Sequence, residues 1–282
     1  EVHVGAAVAW IDLNYAKARL KALDDLLAGL APLWRATSSA VASGGARPAQ
    51  PLEAQQMRAD LEDRRSELVA IVGRSRAELV RWTGDPDADV AGPVPSFEVD
   101  PGALRAAIER NPRLGAQDAM TRQAETDVEL AQAGRRPDWS WELAYQRRDP
   151  MFGDMVSAGV TISLPIFASR RQDPIIASKV ADAGQARAER EAARREIVAQ
   201  LESGLAEHLM HHDQWRRSLD VLVPLAKQRA DLETASYGAG RAGLTDVVQA
   251  FTQLANAQLT LLDREAAVAT DAARLSLLYG KA

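Results

Sequence analysis

His208 and His212 stand four residues apart, so on a helix they share a face, and two imidazoles at that spacing can chelate a divalent metal. Their surroundings point elsewhere. Leu201, Leu205, His208, His212, Trp215, Leu219 and Leu222 follow alternating steps of three and four, which places both histidines in an apolar packing seam as hydrogen-bonded residues. His211 points away from that seam, toward solvent. The pair is a weak metal candidate only, and no metal site or other cofactor is expected. Asp246 follows a glycine-rich turn (Gly238, Gly240, Gly243) that also holds Arg241, and Gln249 lies one turn further on. A carboxylate in the first turn of a helix is favoured by the helix dipole. No glycine-rich phosphate loop after a strand, no cysteine nucleophile and no Gly-x-Ser-x-Gly accompanies these groups. The other Asp, Glu and Arg residues fall where solvated helix faces and i,i+4 pairs are expected, so the sequence does not read as an enzyme.

The composition bounds what elements can hold these residues. The 282 residues are 46% hydrophobic but only 5% aromatic, and Ala, Leu, Arg and Glu favour helix. A net charge of −5 gives no global basic field for nucleic acid. The absence of cysteine excludes disulfides and thiolate metal sites and leaves the redox compartment open. No run of 18 apolar residues exists, so no membrane-spanning helix is expected. The chain opens at Glu1 directly into helical pattern, which suggests a start inside an element of a longer protein; the lack of a leader says nothing of the compartment.

Two long periodic stretches dominate. From Val4 to about Ser43, Leu13, Leu20, Leu27, Trp34 and Val41 recur every seven residues, with Pro32 expected to kink or loosen the helix. Gly44 and Gly45 mark a turn, and a second helix runs from about Leu52 to Trp82 with Leu61, Leu68, Val72, Leu79 and Trp82 on one face, forming an antiparallel hairpin with the first. In the tail, Val247, Leu254, Leu261, Val268 and Leu275 repeat the seven-residue spacing in a helix beginning near Thr245. Between these lie a Pro- and Gly-containing linker (85–100), a short helix opened by Pro101, and a helix restarted at Asn111-Pro112 that runs to about Ala133. A further helix runs from about Ile175 to Tyr237, interrupted near Pro224.

Between residues 138 and 165 the period changes to two. Trp139, Trp141, Leu143 and Tyr145 alternate with polar or small residues, as do Val156, Ala158, Val160, Ile162 and Leu164, with a polar turn at Arg147–Asp154. This reads as a β-hairpin with one apolar face, terminated by Pro165 and Pro174. On the residues alone it is equally a barrel hairpin or a half-buried hairpin on a soluble protein.

The chain also repeats itself. Gly44–Gly84 and Gly240–Gly280 have the same length, Leu52 falls on Val248 and Leu79 on Leu275, and each ends in a bulky residue, one residue, then glycine. The expected organisation is a truncated first-repeat hairpin (1–84), a linker (85–100) and a second repeat (101–282) of helices 101–134, β-hairpin 138–165 and long helical hairpin 175–280. The fold class is mainly α, with long coiled-coil-like antiparallel hairpins in duplicate and one β-hairpin.

The ordered set Asn111-Pro112, Arg136-Pro137-Asp138, Thr161–Phe167, Tyr237–Gly240 and Asp246-Val-Val resembles the TolC-type outer-membrane efflux family. Arg147-Arg148, Gly153-Asp154-Met155 and Arg171–Pro174 look like its heavy-metal (cation) efflux branch. The resemblance implies a homotrimer with a periplasmic α-barrel and an outer-membrane β-barrel end. It also implies a passive conduit docked to a periplasmic adaptor (membrane fusion) protein and an inner-membrane pump, with outer-membrane lipid around the barrel and no nucleic acid. Such proteins contribute two β-hairpins and this chain carries one, so it should not close a barrel alone. Trp139, Trp141, Leu143, Tyr145, Val160, Ile162 and Leu164 would face membrane. The resemblance places Gly44, Gly45, Gly238, Gly240 and Gly243 at periplasmic tips and Asp246 at the aperture, where three aspartates near an axis repel one another and favour cations. Gln249 stands where a second carboxylate can occur, and Arg241 is a possible tether. The alternative is a periplasmic adaptor or coiled-coil scaffold of an export complex; the alternative cargo is an organic compound.

Overall fold

The computed structural model describes residues 2–42, 50–149 and 151–280. In chain order the elements are α1 (Val2–Ala42), α2 (Gln50–Thr83), α3 (Pro101–Ala107), a 3-10 turn (Ile108–Arg110), α4 (Pro112–Ala133), β1 (Asp138–Gln146), β2 (Met155–Ser163), α5 (Ala168–Arg217), a π-helical turn (Ser218–Leu222), α6 (Val223–Gly238) and α7 (Leu244–Tyr279). The turn glycines Gly44 and Gly45 lie outside the described residues, and of the last heptad position, Val41, the helical backbone is described but not the side chain. The chain forms two compact units, one of Glu1–Ala106 with Gln200–Ala282 and one of Ala107–Ala199. This spatial grouping cuts across the two repeats expected from sequence.

In the first unit α1, α2, α6 and α7 pack lengthwise. Leu23 and Leu30 of α1, Leu61 and Leu68 of α2 and Leu259 of α7 form one buried cluster, flanked by Leu27, Trp34 and Phe251. Pro32 lies inside this region, and α1 is continuous through it. The packing around Leu30 outweighs the one backbone hydrogen bond a proline removes. Nearer the start of α1, Ile11 and Tyr15 meet Ala266 and Ala269 of α7. The stretch 85–100 runs along α1: Ala88 is buried with Ala9, Leu13 and Leu79, and Asp89 pairs with Lys17 and Arg76.

The expected heptad on α7 supplies three of the eleven residues the helix buries, and its Leu254 and Leu261 are only part-buried. Val247, Val268 and Leu275 are buried, but so are Ala255, Leu259, Ala266 and Ala269 on a second stripe. A helix packed on two sides needs a wider apolar arc than a single heptad supplies, and alanines let α1 approach closely.

On α5 the expected seam holds through Trp215 and then departs from the reading. Ser218 is fully buried while Leu219 and Leu222 are 40% and 41% exposed. The cause is the π-helical turn, which adds a residue to the helical step and rotates everything after it. Pro224 supplies no N–H, and on α7 the Arg264 guanidinium donates to the Gln214 carbonyl (2.9 Å) and to Ser218 Oγ. The interruption expected near Pro224 is thus a π-turn just before it.

The second unit pairs α4 with the first part of α5 and carries the β-hairpin. Asn111 caps α4, its side chain accepting the Arg113 N–H, with Pro112 at the first helical position. α5 begins at Ala168, earlier than Ile175, and Pro174 lies inside it instead of ending the hairpin. Phe167 supplies the start: its carbonyl accepts the N–H groups of Arg170 and Arg171, and it holds a left-handed φ of 64°. That conformation costs a non-glycine residue about 1–2 kcal/mol.

One close approach in the first unit is directly testable. A Cβ added to Gly5 on α1 would sit 2.5 Å from the Trp82 ring at the end of α2. Gly5→Ala must displace that ring, and we expect a loss of about 1–3 kcal/mol in urea unfolding. An unchanged midpoint would mean that Trp82 repacks freely.

Candidate functional site

Three places carry the residues singled out by sequence. The first is the turn into α7. Gly240 adopts a φ of +70°, a left-handed position that suits glycine, and Arg241 and Ala242 donate backbone N–H groups to the Ser236 carbonyl. Asp246 accepts the Gly243 N–H through Oδ2 at 2.8 Å, closing the first turn of α7. Asp246, Gln249 and Arg241 are exposed. Beside them, Thr245 Oγ1 donates to Glu53 Oε2 (3.1 Å), which ties the start of α7 to the start of α2.

The second place is the hairpin. β1 and β2 are nine residues each and pair antiparallel, with Trp139 opposite Ile162, Trp141 opposite Val160, Leu143 opposite Ala158 and Tyr145 opposite Val156. The register collects the apolar residues on one face and Ser140, Glu142, Thr161 and Ser163 on the other. Leu164, expected within the second strand, lies one residue past its end. Nothing in this chain covers the apolar face among the described residues: Trp139 is 69% and Trp141 74% exposed. A half-buried hairpin would need such a cover. Tyr145 donates its hydroxyl to Asp154, fixing the turn end.

The third place is the histidine segment of α5. His208 is 9% exposed and hydrogen-bonds to the Phe97 backbone, and its Nδ1 is buried without a partner. Burial pushes its pKa below the ordinary 6.5; Asp271 pulls it back up, and His212 and His211 push it further down. The His212 ring lies 6.3 Å from that of His208 and 5.3 Å from that of Trp215. Trp215 meets the edge of Phe97 and donates Nε1–H to Glu265 at 3.1 Å. These rings line a cleft of about 1130 Å³ together with Asp100, Arg105, Glu202 and Leu209. No third ligand joins the two imidazoles: among the described residues no cluster of three or more His, Asp or Glu is placed to hold a metal. His211, expected in solvent, is part-buried and pairs its Nδ1 with Asp271 Oδ2 at 2.7 Å. The partner lies on α7, beyond the reach of a periodicity confined to α5.

These surfaces belong to a recognisable kind of protein. The family described as outer membrane efflux protein matches residues 103–281, more than half of the chain. The chain belongs to that family. Its members are channels and not enzymes. The chain is also 25% identical over 211 residues to the cobalt-zinc-cadmium resistance protein CzcC of Cupriavidus metallidurans, covering 75% of this chain and 49% of the relative. It thus spans about half the length of the curated relative it matches. Among solved structures it resembles CusC, with a TM-score of 0.86 at 14% identity over 98% of this chain and 67% of that one. It also resembles VceC of Vibrio cholerae, with a TM-score of 0.79 at 21% identity over 99% of this chain and 69% of that one. At such identities the likeness is one of fold, a mostly helical channel protein with one two-stranded sheet. No described helix is long and apolar enough to cross a membrane.

The buried His208 makes stability depend on pH in a defined window. Its folded pKa is lowered, so the unfolded chain binds more protons once pH falls through 6.5. Stability is therefore full above that value and declines below it. Asp89, Glu109 and Glu202, held low first by hydrogen bonds from Lys17, Arg194 and Arg105, weaken the fold only in the carboxylate range. Asp12, raised by burial, acts oppositely in that same lower range. Thermal melts from neutral pH downward should show an upper step that His208→Asn removes. If the step survives the substitution, another histidine owns it.

Proposed function

We propose that the chain forms part of a passive export conduit: a homotrimer whose helices build a periplasmic α-barrel and whose hairpins contribute to an outer-membrane β-barrel. The observation that carries this reading is the uncovered apolar face of the hairpin. Nine residues per strand is close to the roughly 9–11 a tilted membrane strand needs, with the polar face turned to a lumen. Trp139 and Trp141 suit the interfacial belt of such a barrel. Membership of the channel family favours this reading over an adaptor or scaffold. In the proposed assembly a periplasmic adaptor and an inner-membrane pump engage the conduit, and the pump supplies the energy.

The proposed cargo is heavy-metal cations, supported by the likeness to a cobalt-zinc-cadmium resistance protein. In this reading Asp246 rings the periplasmic aperture, Gln249 sits one turn inward and Arg241 tethers the closed state. Capping does not consume Asp246: one carboxylate oxygen holds the Gly243 N–H, and the exposed group keeps its charge and further acceptor sites. Asn at this position keeps an acceptor for the cap and loses the charge, whereas Ala loses both.

Two measurements test these proposals. Single-channel recording of the parent protein should show weaker cation block for Asp246→Asn and Asp246→Ala alike, with only Ala costing about 0.5–2 kcal/mol of stability. Unchanged block in both removes Asp246 from the aperture. Deleting the parent gene should sensitise cells to divalent metals more than to dyes or detergents; the reverse ranking assigns the conduit to organic compounds.

A further inference from the structure

The base of the β-hairpin gathers cations that the fold leaves without counter-ions. The pairing of Asp138 with Ser163 brings the segment before β1 beside the segment after β2, and Arg135 bonds Asp173 on α5 at 2.5 Å across that junction. Arg136 therefore lies at the same end as Arg170 and Arg171. All three are exposed, and among the described residues none pairs with a carboxylate. Two acidic residues share this end. Asp173 is taken by Arg135, and Asp138 follows the register of the polar face. The far end of the hairpin differs in net charge: Arg147 and Arg148 form no ion pair among the described residues, but Asp149 and Asp154 bring that end to zero, whereas Arg135, Arg136, Arg170 and Arg171 outnumber Asp138 and Asp173 at the base.

Two further observations say what the cations are for. Arg170 and Arg171 stand in the opening turn of α5, which holds no acidic residue. Helix N-termini repel cations and attract anions, so this placement is unfavourable until an anion sits there. Beside them Leu164, Ile166 and Phe167 are 63%, 61% and 72% exposed, and Phe167 keeps its left-handed backbone with no burial in this chain to compensate. Arginines next to exposed aliphatic and aromatic side chains, at the edge of an apolar sheet face, match the boundary where acyl chains give way to headgroups.

We infer that Arg136, Arg170 and Arg171 form a collar that binds the phosphates of anionic phospholipid headgroups at one rim of the membrane, with Ile166 and Phe167 inserted beside them. This rests on the membrane reading of the hairpin. It adds a lipid preference and an orientation, because the base end carries a net positive charge and the far end does not.

The test is co-flotation of the chain with phosphatidylcholine vesicles made with and without phosphatidylglycerol, with Trp139 and Trp141 fluorescence reporting insertion. A basic residue near an anionic surface contributes about fivefold in binding, so the triple substitution Arg136→Gln, Arg170→Gln, Arg171→Gln should lower binding to phosphatidylglycerol vesicles on the order of 100-fold. Binding to pure phosphatidylcholine should hardly change. The triple Lys variant should keep most of the preference, and added salt should erase it in the wild type. Helical circular dichroism checks that the variants fold. Equal preference in wild type and Gln variant overturns the collar while leaving the membrane reading intact. No binding and no fluorescence shift with either vesicle overturns both. A changed oligomeric state with unchanged lipid preference assigns the arginines to another copy of the chain and likewise overturns the collar.

Discussion

The first unit depends on α7 burying side chains along its whole length. From Leu244 to Leu275 it hides residues on two faces, one toward α1 and α2 and one toward the segment that ends α5 and begins α6. Close approach is what limits such an arrangement. Alanines at 266 and 269 admit α1, and Gly204 admits Leu275, whose Cδ2 would stand 3.1 Å from any Cβ placed there. At about 25 cal/mol per Å² of apolar area, contacts of this kind dominate the stability of a helical unit, and the exposed ion pairs around them are minor. The stretch 85–100 completes the unit by laying Ala88, Val94 and Phe97 on the same helices.

The second unit is held differently. Few of its residues are fully buried, among them Leu114, Ala183 and Ile197. Between its helices run charge pairs, Arg190 with Asp118 and Glu109, Arg194 with Glu109, and Arg187 with Glu125. Glu109 sits between two guanidiniums, and the hydrogen bond from Arg194 holds its carboxyl below the usual range. Exposed pairs of this type contribute roughly 0–1 kcal/mol each. They set spacing and register between helices more than they drive association.

Periodicity exposed most of this to a reader of the sequence. Heptads named Leu13, Val247, Val268 and Leu275 as core, and alternation located the hairpin and its apolar face, because both signals arise within a single element. What escaped depends on a second element. The π-turn exists where Arg264, from another helix, can bond the Gln214 carbonyl, and it alone turns Leu219 and Leu222 outward and Ser218 inward. His211 found Asp271 for the same reason. Pro174 entered α5 because Phe167 starts that helix earlier, through a backbone conformation that no propensity assigns to phenylalanine. Asp246 was legible as a first-turn carboxylate favoured by the helix dipole, a local signal, and its cap bond to the Gly243 N–H came only with the structure; an assembly role is not local and leaves no such mark.

The two halves of this contrast constrain each other. Met120, Leu130, Ile175 and Val180 on the second unit's helices are each more than half exposed, as are the hairpin aromatics. A charge ladder cannot offset that much bare apolar surface, because the pairs gain little in water while the surface costs in proportion to its area. A chain selected to stand alone would have exchanged those residues for polar ones at small cost, since each occupies a solvent-facing position on a helix or strand that does not need it for packing. The first unit also leaves Leu52, Leu209, Leu225 and Leu232 more than half exposed, so bare apolar surface is not confined to the hairpin unit, and the proposed trimeric conduit would cover it by assembly. Under the proposed barrel reading the hairpin meets surroundings of two kinds, apolar along one face and polar along the opposite face. That division follows the strand register residue by residue, and a shift of one position in the pairing would destroy it.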